Sequence, residues 1–141
     1  KHLTENITWA DNRSSRYADL IENEYNGFEI YQRTGTPLHP MSPLSKIFWM
    51  KHEQPAIYNQ TAKFADIKTY IFYQLFDKYV IDYSMASATG MFNLEQLDWD
   101  EKALKLLGIS IIILTGFCSV SLLFKKCVTY FEKSIVLFFM I

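Results

Sequence analysis

Met41-Ser42-Pro43-Leu44-Ser45-Lys46-Ile47-Phe48-Trp49-Met50 is the stretch on which the reading of this chain turns. It opens as helices open. Ser42 can accept a backbone N–H from the first turn, and Pro43 follows where its missing donor is not needed. The helix so predicted presents Leu44, Ile47, Phe48 and Met50 and stops before Pro55. Immediately upstream, Thr34-Gly35-Thr36-Pro37-Leu38-His39-Pro40 cannot be a regular element, because each proline lacks a donor and restrains its predecessor.

Working outward, Ile7-Thr8-Trp9 reads as the end of a short strand, and Tyr17, Leu20 and Ile21 mark a helix over about 14–24. Asn26-Gly27 signals a turn. The apolar stripe Phe64, Ile67, Ile71 and Leu75, widened by Phe72 and Phe76, predicts a helix from roughly Ala62 to Asp77. From Tyr79 to Phe92 the small-residue run Ser84–Gly90 suggests strand, turn and strand. Asp98 and Glu101 then have capping-box spacing, opening a helix over about 99–107 that Gly108 can terminate in a left-handed conformation.

The 141 residues are 50% apolar and carry a formal net charge of −1, so the composition offers no basic face for nucleic acid. The average conceals two populations. Residues 1–110 hold 11 basic and 14 acidic side chains, net −3, whereas 111–141 are net +2 with 21 of 31 residues apolar. Cys118 and Cys127 both fall in the second part, and their spacing suits two ordinary thiols better than zinc. His2, His39 and His52 are scattered, so no metal site is expected. The Asn-x-Ser/Thr triplets at Asn6, Asn12 and Asn59 read as chance matches, because no secretory signal opens the chain. Phosphate-loop, dinucleotide, nucleophile-elbow and zinc-helix motifs are all absent from the sequence.

Three places could carry chemistry. Trp9-Ala10-Asp11-Asn12-Arg13 groups an aromatic face, a carboxylate and a guanidinium at a strand end, where α/β proteins place ligands. A capping Asp with a surface salt bridge explains the same residues. His39-Pro40-Met41-Ser42, beside Lys46, could offer a histidine to a polyol, or be a plain surface loop. Asp82, Ser84, Ser87 and Thr89 supply small polar groups that turn hydrogen bonding accounts for more economically than catalysis.

Met41–Met50, with its Lys-apolar-x-Trp-apolar core, resembles a signature segment of the FGGY carbohydrate kinases. Asp82-Tyr83-Ser84-Met85-Ala86-Ser87-Ala88-Thr89-Gly90-Met91-Phe92-Asn93, followed by Leu97-Asp98-Trp99-Asp100, is similar to a second block of that family, and Trp9-x-Asp11-x-Arg13 to a third. Gly35–Pro43 looks most like the gluconate kinases within it. The resemblance covers about Ile7 to Ser110. It implies an α/β fold, part of an actin-like, ribonuclease-H-like N-terminal domain that is mostly helical over this stretch. It also implies an intact parent that uses ATP and Mg²⁺ to phosphorylate a sugar or sugar acid such as gluconate. Carried over by position, Trp9 flanks the sugar, Asp11 and Arg13 lie near it, and His39 and Met41 fall on the loop that meets the polyol. Lys46 and Trp49 are expected to position their own helix.

The family's Asp-x-Gly-Thr hairpin, its general-base aspartate and its glycine-rich adenosine segments are not found in this chain. The expectation is therefore a fragment with no catalytic residue and no bound nucleotide, inactive alone. A Lys at position 1 reads as a missing or processed start. The expected division is 1–110 as partial kinase domain and 111–141 as an apolar tail without family resemblance. Leu106–Phe124 is a 19-residue uncharged run, long enough to qualify as a span candidate although its first residues belong to the preceding helix. A reading-frame change near Ser110 is the favoured origin of the tail, ahead of a membrane anchor on a non-catalytic remnant and of a divergent core segment. The expected location is cytoplasmic, with a membrane only through 106–124, and the expected partner is a small sugar or sugar acid rather than nucleic acid.

Overall fold

The computed structural model describes residues 3–110 and the backbone of residues 116–117. Seven helices and four two-residue strands follow one another among the described residues: α1 (Ser15–Glu24), α2 (Gly27–Thr34), α3 (Pro43–Glu53), α4 (Pro55–Gln60), α5 (Ile67–Phe76), β1 (Val80–Ile81), α6 (Tyr83–Ser87), β2 (Phe92–Asn93), β3 (Asp98–Trp99), α7 (Glu101–Leu107) and β4 (Gly116–Phe117). β1 and β4 pair in parallel, Val80 opposite Gly116 and Ile81 opposite Phe117, across a crossover that contains α6 and α7. β2 and β3 form an antiparallel hairpin with Phe92 opposite Trp99.

The core is built around α3. Ser42 caps it by accepting from the Ser45 amide, and Pro43 occupies the first turn, as the sequence predicts. All seven residues from Leu44 to Met50 are buried, so this helix is covered on every side, by α1, α4 and α7 among others. α1 lays Tyr17 and Ile21 into the same cluster, and the Tyr17 ring meets Phe48 edge-on at 6.0 Å. Met91, Phe92, Trp99, Leu104 and Leu107 close it from the other side.

Helix α7 is fastened at both ends. Asp100 accepts from the Ala103 amide at 2.8 Å and takes the Arg33 guanidinium from α2, with Nε at 2.6 Å. Burial pushes the Asp100 carboxyl up, but hydrogen bonds from Arg33, Ala103 and Asn93 outweigh it and hold the group below the ordinary carboxylate value. At the far end Gly108 adopts φ +76°, where a Cβ is disfavoured. Its amide reaches the Lys105 carbonyl and the Ile109 amide reaches that of Leu104, the Schellman pattern. Two more terminal carbonyls are taken from outside: Lys51 Nζ donates to Leu106 at 3.0 Å and Tyr58 Oη to Leu107 at 2.6 Å.

Several expectations need correction. Residues 7–9 form no strand, because a strand requires a partner and none of the described residues pairs with them. The helix expected over 62–77 begins only at Ile67, since Asp66 supplies its cap through the Thr69 amide. Its apolar row Ile67, Ile71 and Leu75 is exposed, and Thr69 is the buried residue of α5. Within 79–92 the strands at 80–81 and 92–93 are present, but the run between them opens as helix α6 over Tyr83–Ser87 and turns only at 88–90. Asp82 caps it, and Met85 and Ala86 favour helix. Asp100, not Asp98, is the cap of α7, while Asp98 and Trp99 sit in the hairpin. Helices α2 and α4 were not anticipated. No helix of the described residues is long and apolar enough to cross a membrane. Cys118, Cys127 and, within the 106–124 run, residues 111–115, residues 118–124 and the side chains of 116–117 lie outside the described residues.

Removing the buried Asp100 leaves Arg33 only its longer contact with Glu29 and uncaps α7, so Asp100→Ala is expected to lower the unfolding free energy by about 3 kcal/mol in urea titrations. Because this carboxyl is held low in the folded chain, its contribution is present near neutrality. It is lost as pH falls through the carboxylate range, and the urea midpoint of the unaltered chain should decline below about pH 5.

Candidate functional site

The Trp9–Arg13 segment is a turn rather than a strand end. The Asp11 amide donates to the Thr8 carbonyl at 3.2 Å, closing it. Asp11 Oδ1 then accepts from the Arg13 backbone amide at 3.0 Å and from Arg13 Nε at 2.8 Å, while Oδ2 meets an Arg13 terminal nitrogen at 2.6 Å. The two side chains thus form a fork-to-carboxylate pair on a local turn, with the geometry both planar groups favour. The hydrogen bonds from Arg13 hold the Asp11 carboxyl below its usual range, and Asp11 in return raises the guanidinium. Trp9, at the apex, is 74% exposed.

Two residues of α3 reach this turn from below. Lys46 is buried, and its Nζ donates to the Thr8 carbonyl at 2.6 Å. Burial depresses the Lys46 ammonium, Asp11 raises it and Arg13 lowers it, with depression the net result. Three positions on along the helix, the Trp49 ring lies under the Arg13 guanidinium, 5.0 Å from centroid to Cζ.

The second candidate loop is joined to the first. Ser14, fully buried, donates its hydroxyl to the Pro40 carbonyl at 2.8 Å, tying the start of α1 to the His39–Met41 loop. In that loop the Met41 amide donates to His39 Nδ1 at 3.2 Å and the Ser42 amide to the His39 carbonyl at 3.0 Å. The His39 and Met41 side chains are exposed. Trp9, Asp11, Arg13, His39 and Met41 therefore lie on two loops fixed to each other and to α3. The contacts made by Ser14, Lys46 and Trp49 were not foreseen. The signal for the two α3 residues was a lysine and a tryptophan three apart in an otherwise apolar helix.

The third candidate dissolves into structure. Asp82 Oδ1 accepts from the Met85 amide at 3.1 Å and its other oxygen pairs with Lys68. Ser87 and Thr89 donate to the carbonyls of Ser84 and Ala86 within the same helical segment. Among the described residues no group of three His, Cys, Asp or Glu side chains could hold a metal ion.

The family model described as the N-terminal domain of the FGGY family of carbohydrate kinases matches residues 1–135, a span that continues past Ser110. The gluconokinase of Bacillus subtilis (strain 168) is 54% identical over 127 residues, which are 90% of this chain and 25% of that protein. Among solved structures, the gluconate kinase from Lactobacillus acidophilus superposes with a TM-score of 0.80 at 37% identity, over 84% of this chain and 24% of that one. Ligand-bound xylulose kinase from the same organism gives 0.81 at 37% identity, with 84% and 24% covered. The chain spans about a quarter of the length of the curated relatives it matches. These likenesses bear out an α/β fold that is part of the actin-like N-terminal domain.

Ser14→Ala, which removes the tie between the two loops, should cost about 1 kcal/mol in urea unfolding. It should also speed amide exchange at Met41 and Ser42 while leaving α7 unchanged.

Proposed function

Since the chain belongs to the FGGY family of carbohydrate kinases, we propose that it forms part of the sugar-binding side of an ATP-dependent kinase acting on a small sugar acid such as gluconate. The observation that carries this reading is the Ser14–Pro40 tie, which sets the exposed Trp9 turn beside the His39–Met41 loop. The indole of Trp9 offers a flat apolar face to the C–H surface of a polyol. Asp11, kept ionised by Arg13, accepts from sugar hydroxyls. Arg13 gives Nε and one terminal nitrogen to Asp11, and its other terminal nitrogen carries two further donors for a substrate carboxylate. His39 and Met41 border the ligand from the facing loop. Identity of 54% to a gluconokinase favours the sugar acid, while the equal fold likeness to a xylulose kinase makes xylulose the natural comparator.

Among the described residues we propose no holder for ATP or Mg²⁺. No trio of acidic or histidine side chains is close enough for a metal among them, and Gly35, Gly90 and Gly108 each end a helix or turn rather than lining one phosphate loop. The chain by itself is proposed to bind sugar without turning it over. A cytoplasmic location goes with this reading. The rival, a membrane-associated remnant, rests on 106–124 and would require that segment to hold the chain in a bilayer.

Calorimetric titration of gluconate into the chain, with xylulose alongside, tests the site. Gluconate should bind more tightly than xylulose, and Trp9→Ala should weaken it about tenfold. Equal binding by Trp9→Ala, or none by the unaltered chain, would sink the assignment. With ATP, Mg²⁺ and gluconate together, no ADP should form; sustained turnover would refute the proposed inactivity.

A further inference from the structure

A buried ammonium is an expensive way to fill a core, because its charge has to be drawn out of water and satisfied. Lys46 stands in a run of seven buried residues of α3, where leucine or methionine would pack as well at no such cost. The hydrogen bond that its Nζ makes lies not within the helix but to the Thr8 carbonyl at 2.6 Å, on the turn that carries Trp9. That carbonyl also closes the turn through the Asp11 amide, so both bonds hold one oxygen in place. Trp49, on the same face of α3, supports the Arg13 end of the same turn from beneath.

We propose that Lys46 and Trp49 are positioning residues for the candidate sugar site: they act from α3 through the Thr8 carbonyl and the Arg13 guanidinium to preset the Trp9–Arg13 turn. The inference rests on the sugar-binding reading for its functional meaning, though not for its geometry. It departs from the expectation that these residues orient only their own helix. Because Ser42 caps α3 directly after the His39–Met41 loop, the same helix fixes one candidate loop by its start and the other by its buried face. With the turn preset, a sugar meets Trp9, Asp11 and Arg13 in place, and less ordering is left to binding.

The test compares the unaltered chain with Lys46→Met, which keeps the buried stem and removes the charge, and with Lys46→Arg, which keeps charge and donors. Amide exchange is followed by NMR, and gluconate affinity by calorimetry. In Lys46→Met, exchange at Asp11 and Arg13 should rise about tenfold or more, as expected when a charge-assisted hydrogen bond is lost. Exchange within α1 and α7 should stay within about twofold, and Lys46→Arg should recover much of the difference. Gluconate binding should weaken in Lys46→Met about tenfold. A uniform rise across α1, α3 and α7 would make Lys46 a core residue and overturn the proposal, as would no change at the turn. A loosened turn with unchanged gluconate affinity would overturn its role in the site. If the unaltered chain binds no gluconate, the sugar reading fails, and the exchange pattern alone decides whether Lys46 presets the turn.

Discussion

Everything described in this chain hangs on the complete burial of one helix. α3 has no solvent-facing stripe from Leu44 to Met50, so it cannot be stable without neighbours on all sides. α1 covers it with Tyr17 and Ile21, α7 approaches from another direction, and α4 follows it directly after Gln54. The polar side chains Ser45 and Lys46 in the run are both engaged. Ser45 pairs with the capping Ser42, and Lys46 reaches out to the Thr8 carbonyl. A buried helix with just these polar exits becomes a rigid platform, and the two candidate loops are anchored to it.

The second fixed body is the junction of α2, the β2–β3 hairpin and α7. Asp100 gathers it: one carboxylate caps α7, receives Arg33 across 67 positions of sequence and meets Asn93 of the hairpin. Such a group is costly to bury unless every oxygen is engaged, and here both are. The same bookkeeping closes the other end of α7, where Gly108, Lys51 and Tyr58 take up the last carbonyls and join this junction to α3 and α4.

Much of this was legible because it is governed by neighbouring residues. Ser42-Pro43 starts α3 and Gly108 ends α7 through local backbone chemistry, and 3-and-4 spacing marks α1. The misreadings share a cause too. α4 is six residues long and buries none of them, while α2 is as amphipathic as α1 but starts at Asn26-Gly27, which reads as a turn. Asp98 and Asp100 are equally good caps by type; the pairing of Asp98 with Asn93 in the hairpin and the Arg33 and Asn93 contacts of Asp100 decide between them. The run Ser84–Gly90 fits turn or helix, and the Asp82 cap with its Lys68 partner tips it to helix. For α5 the stripe was real, yet an apolar face says nothing of which segment will cover it.

The sequence by itself determined the family, the helix that anchors the fold, and the residue types gathered at the candidate site, because motifs and caps depend on residues a few positions apart. It put Trp9, Asp11 and Arg13 at a strand end and His39 and Met41 on a loop, and the first of these is a turn in the structure. Only the tertiary structure decided that those loops are tied together by Ser14 and Pro40 and supported by Lys46 and Trp49. Those contacts join positions 26 to 38 residues apart, and no local rule of spacing or propensity reports which distant carbonyl a buried side chain will reach.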